Sequence, residues 1–366
     1  MGLVAQQRRD PQKARNLSEL VRKGESLAVV SDISAEALVS SGVILRALRT
    51  LGVDFEFYLT TDPVDPAQLS VKVIGVEAYI QGCANCVELA EPRPRKTPQH
   101  VFHAALSMVR EVVPPSREEY VLLLSSALTK YTPRSLASGF SPELQELVSE
   151  LQSSGVIREV LAPRLMGWGA MPLEEVVRYS IDTCVLKYFG KPVGRVTESD
   201  IVRELRVDSI ASLEDKTYVP NYEAGVLDLY EAAYVIEYAV DAEGPEYVAF
   251  MPLNYSYFLW AVRAFRASVE AMRECLDTFL EKSFELEGGF YVMECDTRAS
   301  GTVLTKILRG LKLIEDSASV VYRTSDGYYV PLQLLSRPQR AKLSGSEVRG
   351  GYAILDRSSF LKLQKP

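Results

Sequence analysis

The chain has 366 residues, 47% of them hydrophobic and 24% charged, with a formal net charge of −7. That composition fits a soluble globular protein of two domains or one large one, and its negative balance excludes a protein that coats nucleic acid by charge alone. No run of about 18 uncharged apolar residues occurs, so no membrane span is expected, and the opening MGLVAQQRRDPQKAR lacks an apolar signal core, which makes a cytoplasmic location the expectation.

From the N-terminus, hydrophobic patterning predicts a helix over Leu17–Lys23, a strand over Leu27–Ser31 and a helix over Ala35–Leu51. Strands follow at Asp54–Leu59 and Val71–Val76, then an amphipathic helix at Gln99–Val113 with Thr97 as its N-cap. The apolar run Tyr120–Leu124 reads as a further strand, central in the sheet together with Val71–Val76. Strands and helices in alternation, with nearly continuous apolar strands, imply an α/β fold on a mainly parallel sheet.

From Ser141 the texture turns helical, through PELQELVSELQSSG and PLEEVVRYSIDTCVLKYFG. Thr197 and Asp200 have the spacing of a capping box. Leu227–Tyr238 reads as a helix and Tyr247–Met251 as a short strand. Asn254 then caps a long helix whose apolar positions are Phe258, Val262, Phe265, Val269, Met272, Leu276 and Phe279. At about 1.5 Å per residue it reaches roughly 40 Å, ending near Glu287-Gly288-Gly289, and its position suggests a strut. Beyond it, FYVMEC, SVVYRT and GYAIL read as strands and Gly301–Leu311 as a helix, a small α/β domain. The expected division is 1–253 (sheet part about 1–135), a connecting helix at 254–287, and a terminal domain at 288–366.

Charge is unevenly spread. No Lys or Arg occurs from Thr217 to Val262, while Glu223, Asp228, Glu231, Glu237, Asp241, Glu243 and Glu246 are acidic. The last thirty residues are basic, with Arg337, Arg340, Lys342, Arg349, Arg357, Lys362 and Lys365 against Glu347 and Asp356. Each segment is either a solvated face or a docking surface of opposite sign to its partner.

Five cysteines at scattered spacing are not a secreted disulfide framework. Cys83 and Cys86, followed by His100 and His103, approach a two-Cys, two-His zinc pattern. Against it, the insert carries three prolines, the histidine spacing is short, and both histidines open the amphipathic helix. A Cys83–Cys86 disulfide is the other reading of that pair.

The stretch AVVSDISAEALVSSG places spaced oxygens between an apolar strand and an apolar helix. It resembles the first motif of the DHH phosphoesterases, the family of the RecJ nucleases, which runs strand, His-x-Asp-Ala-Asp-Gly and then a helical Ser, and whose His and both Asp hold two Mn²⁺ ions. Asp32 to Ala37 fall on the six positions, with Asp32 for the His, Ser34 and Glu36 for the two Asp, Ala37 for the Gly, and Ser40 at the serine. Glu77 is the candidate acid after Val71–Val76, and no Asp-His-His tripeptide is present. The family's Gly-rich substrate loop ending in His matches Arg349-Gly350-Gly351-Tyr352, without the histidine, and Arg323 falls where the terminal domain usually has an arginine.

A two-metal site needs bridging carboxylates that hold the ions about 3.5–4 Å apart, and a neutral serine hydroxyl replaces a carboxylate poorly. The resemblance therefore implies a phosphoesterase fold that lacks catalysis and needs no cofactor. One branch of the family, that of archaeal cell division control protein 45, is of this kind. It implies a nucleoid-associated scaffold that joins the GINS complex and the MCM ring, with weak single-stranded DNA binding. In that case Arg323, Arg337, Arg340 and Arg349 line the cleft between the domains and Tyr352 stacks on a base. Two other readings stay open: an active Mn-dependent exonuclease or phosphoesterase with unusual ligands, and a zinc-dependent nucleic-acid-binding protein.

Overall fold

The computed structural model describes residues 17–21, 26–61, 69–78, 80, 83, 86–89, 100–131, 139–282, 284, 286–295, 299–343 and 345–364. The expected helix cap at Thr97 and the end of the first helix at Lys23 lie outside them. Among the described residues, no helix is long and apolar enough to cross a membrane.

After α1 (Leu17–Leu20), the chain builds β1 (Leu27–Ser31), α2 (Ala35–Thr50), β2 (Phe55–Leu59), β3 (Lys72–Val76) and β4 (Cys86–Leu89). These strands form an all-parallel sheet in the order β2-β1-β3-β4, with Val29 facing Phe57 on one side and Ile74 on the other. Every residue of β1 is buried, as its unbroken apolar run requires of a central strand.

α2 packs on the sheet, and α3 (Phe102–Val109) and α4 (Arg117–Leu128) pack on α2. α4 corrects the expectation of a central strand at Tyr120–Leu124. A short apolar run is ambiguous between strand and buried helix. Here the boundary decides, because Ser116 and Glu119 form a reciprocal capping box that starts the helix. Gly42 lets α2 approach the later helix that holds Ala249, since a Cβ there would fall 2.1 Å from the Ala249 carbonyl oxygen.

α5 (Pro142–Ser153) leads to β5 (Ile157–Pro163), which pairs antiparallel with β6 (Glu214–Pro220). This ribbon was not expected in a segment that reads as helical. Between its strands, α6 (Leu173–Tyr179) and α7 (Glu198–Leu205) enclose a separate small core of Val176, Val177, Val185 and Ile201. α7 starts at the Thr197–Asp200 capping box.

α8 (Leu229–Ala242), α9 (Pro245–Phe250) and α10 (Ser256–Glu281) follow. α9 replaces the strand expected at Tyr247–Met251, because Gly244-Pro245 puts a proline at the first helical position. The apolar stripe of α10 is buried from Phe258 to Leu276 and packs on α8 and α9. Four of the acidic residues in the Lys- and Arg-free segment, Asp228, Glu231, Glu237 and Asp241, are buried along α8 and form no solvated or docking face.

The terminal part contains β7 (Leu286–Glu287), β8 (Phe290–Met293), α11 (Gly301–Gly310), β9 (Ser319–Thr324), β10 (Gly327–Pro331), α12 (Arg337–Ala341), β11 (Glu347–Arg349), β12 (Tyr352–Leu355) and α13 (Arg357–Leu363). Its six strands run in the order β11-β12-β10-β9-β8-β7, antiparallel except for β8 with β9. A disulfide joins Cys275 near the end of α10 to Cys295 after β8.

Candidate functional site

The site lies at the carboxyl ends of β1 and β3, where an open parallel sheet usually places its ligands. Asp32 follows β1 directly, its amide donating to the Val76 carbonyl 3.0 Å away. Ser34 is the N-cap of α2, accepting from the Ala37 amide at 3.1 Å and donating its own proton to Glu77 Oε2 at 2.7 Å. Glu36 stands in the first turn of α2 with its side chain wholly buried. Glu77 ends β3 in the left-handed region, φ 50°, a conformation that strains a residue with a side chain. The four positions expected from the sequence are therefore brought together.

Basic side chains meet these carboxylates. Lys130, in the single 3₁₀ turn after α4, places its Nζ 2.6 Å from Glu36 Oε2 and 3.3 Å from Glu77 Oε1. His100 Nδ1 lies 3.1 Å from the same Glu36 oxygen, and the Phe102 amide donates to Oε1 at 3.1 Å. Arg337, from α12, donates through Nε and Nη2 to Asp32 Oδ2 at 3.2 and 3.1 Å. Arg340 Nη1 bonds Asp32 Oδ1, and Arg337 Nη2 also bonds the Glu77 carbonyl. Three carboxylates thus face three permanent cations.

Burial opposes ionisation of Glu36, but His100 and Lys130 outweigh it and hold the carboxyl below the usual range. Glu77 is raised by burial, with Lys130 offsetting only part and the negative charges of Glu36 and Asp32 adding to the shift. Burial would lower the Lys130 ammonium, yet Glu36 and Glu77 raise it, so the lysine stays charged.

This donor set does not fit the pair of Mn²⁺ ions that the resemblance to the DHH motif implies. Every oxygen of Asp32, Glu36 and Glu77 already holds a donor, and the Ser34 hydroxyl is committed to Glu77 and the α2 cap. A divalent ion would have to expel an ammonium and two guanidinium groups, or sit beside them in a poorly screened site where like charges repel strongly. Arg337 and Arg340 were expected in a DNA cleft and turn inward instead. Lys130 carried no local sequence signal, because its role depends on the fold bringing α4 to β3.

The other candidates are placed as follows. Arg323 is on the surface, paired with Glu294, and Arg349 is exposed beside Glu347 and Asp326. Tyr352, expected to stack on a base, is 3% exposed, and its hydroxyl accepts from the Gly301 amide at 2.9 Å. Cys83 and Cys86 are joined by a disulfide, His100 is buried against Glu36 and Tyr131, and His103 is exposed on α3. The four residues of the zinc pattern are not assembled.

The cleft between the two sheets is closed by further contacts. Lys306 of α11 bonds Glu237 of α8 and donates to the Thr129 carbonyl at 2.7 Å. Buried Asp241, also on α8, accepts from Ser300 Oγ, the Thr302 amide and Oγ1, and Gln333 Nε2 at 2.6–3.0 Å. The glycine loop docks on α8 rather than opening toward a ligand. The Gly351 amide donates to the Asp241 carbonyl at 2.9 Å, and a Cβ on Gly351 would fall 2.1 Å from the Val240 oxygen.

A parallel sheet with its acidic loop after the first strand, helices packed on it and a second sheet folded over the strand ends defines an α/β protein of two joined sheets. Within that class the chain has the fold of CDC45. It superposes on the crystal structure of CDC45 from Entamoeba histolytica with a TM-score of 0.56 at 9% identity, covering 93% of this chain and 94% of that one. RecJ from Thermus thermophilus in complex with Mn²⁺ gives 0.42 at 16%, covering 95% of this chain and 52% of that one. Exonuclease RecJ bound to manganese gives 0.44 at 14%, covering 95% and 90%. No family model matches the sequence. No curated protein matches it either.

Proposed function

We propose that this chain is a non-catalytic, RecJ-like replication factor that acts as a scaffold, joining the GINS complex to the MCM ring of a replicative helicase. The observation that carries the reading is the set of cations on the site's carboxylates: Lys130 between Glu36 and Glu77, and Arg337 with Arg340 on Asp32. A hydrolase of this class needs those oxygens for metal. The CDC45 fold over nearly the whole length of both chains supports the same reading.

The closed cleft weighs against threading a single strand between the sheets, so the scaffold role is held by outer surfaces. The test has two arms. Purified protein is mixed with a labelled oligonucleotide and Mn²⁺, and separately with purified GINS complex on a sizing column. The proposal expects an uncut oligonucleotide and co-elution with GINS. Cleavage that disappears in Asp32→Ala would establish the nuclease reading instead.

A further inference from the structure

The first two turns of α10 carry the most exposed aromatic residue among the described residues. Trp260 is 63% exposed, and Tyr257 and Leu259 beside it are 39% and 37%. Trp260 lies about 200° around the helix from Phe258, so the stripe that fixes α10 to α8 and α9 aims the indole outward. Its neighbours Ala261 and Val262 are buried, so the backbone beneath it is held. The Arg263 guanidinium lies 5.3 Å from the centre of the indole and covers one face.

The flanks of this crest are acidic. On one side the Tyr247 ring meets Tyr257 at 5.0 Å and its hydroxyl donates to the Tyr257 carbonyl at 2.9 Å. Exposed Glu243 and Glu246 precede Tyr247 by four residues and one, and the charge of Glu243 adds to the burial that raises the Tyr247 phenol. On the other side Leu259 packs over Gly225, two residues from exposed Glu223. Among the described residues, none of these three glutamates pairs with a basic side chain.

We infer that the Trp260 crest is a docking knob for a protein partner offering an apolar pocket rimmed by lysine or arginine. A rigid, protruding tryptophan is the residue type that dominates binding energy when a partner buries it. The glutamates on both flanks select a rim of opposite charge and speed encounter. They also repel nucleic-acid phosphates and anionic lipid surfaces, which argues for a protein. The knob shares no residue with the carboxylate site, so it serves binding without disturbing the closed cleft.

The choice of probe rests on the scaffold reading, and the probe is the purified GINS complex. Titrations follow wild type, Trp260→Ala, the double variant Glu243→Lys with Glu246→Lys, and Leu361→Ala as an exposed apolar control on α13. Trp260→Ala is expected to weaken binding about 30-fold or more with an unchanged melting temperature. The double variant is expected to weaken binding and to flatten its salt dependence, while Leu361→Ala binds as wild type. Equal binding by wild type and Trp260→Ala overturns the knob and leaves the scaffold reading standing. If wild type itself does not bind GINS, the scaffold reading falls and the knob falls with it.

Discussion

Arg340, in the terminal part of the chain, bonds the carboxylate of Asp32, the residue that follows β1 directly. Asp32 is 6% exposed at its side chain and Arg340 14%, so the pair is shielded from solvent. Through these ion pairs Asp32 ties the second sheet to the first. Lys130 does the equivalent inside the first sheet domain, standing between Glu36 and Glu77. The closure that results makes the site a structural joint.

Removing the lysine should expose the dependence. Lys130→Ala leaves the wholly buried Glu36 with His100 and the Phe102 amide but no permanent cation, and Glu77 with Ser34. Breaking a buried ion pair by deleting one partner is costly. Because Lys130 is one-quarter exposed, the expected loss is about 2–4 kcal/mol, read as a lower urea midpoint. A loss under about 0.5 kcal/mol, typical of a surface change, would mean the lysine is not holding the carboxylates.

The Asp32–Arg340 joint is testable as a pair. Arg340→Met should destabilise by about 2–3 kcal/mol, since it leaves a shielded carboxylate with the half-exposed Arg337 as its one cation beside the Ile33 amide. Adding Asp32→Asn to that variant should recover part of the loss, because the two groups are then removed together. Additive losses in the double variant would contradict a direct pair.

The glycine loop gives a steric prediction. Gly351→Ala puts a Cβ against the Val240 carbonyl, backbone that cannot rotate away. The expected cost is about 1–3 kcal/mol, with faster proteolysis between the two sheets. A loop kept open for a ligand would accept alanine with little change.

The cysteines make a count. Cys184 is the free thiol, and burial pushes it up to about 12. The other four are paired as Cys83–Cys86 and Cys275–Cys295. Native protein at pH 8 should therefore show no fast-reacting thiol, one after unfolding, and five after unfolding with reductant. Two fast thiols in the native state would remove the Cys83–Cys86 bond and reopen that pair as ligands.

Three strands of the first sheet were legible because they are short apolar runs bounded by turns, and β1 falls on the predicted residues, whereas β4 at Cys86–Leu89 was not expected. Where periodicity was ambiguous, at Tyr120–Leu124 and Tyr247–Met251, the deciding signals were at the boundaries, Ser116 with Glu119 and Gly244 with Pro245. The β5–β6 ribbon escaped because its strands are seven residues of mixed polarity separated by a helical insert. Asp32, Ser34, Glu36 and Glu77 were legible as a loop that a metal site would need. Their actual partners were not, because Lys130, Arg337 and Arg340 reach them across 53 to 308 positions of sequence. Charge counted along the chain also misled: four acids of the Lys- and Arg-free segment are buried on α8, where Arg266 bonds Glu231, Lys306 bonds one oxygen of Glu237, and hydroxyls and amides satisfy Asp241.

The most direct measurement is calorimetric titration of Mn²⁺ into the protein after treatment with chelator. If Lys130, Arg337 and Arg340 already neutralise the three carboxylates, no saturable binding appears up to millimolar metal, and the melting temperature is the same with chelator or Mn²⁺. Saturable uptake of about two ions per chain, the stoichiometry of a working site, with loss of that uptake in Asp32→Ala, would contradict the account.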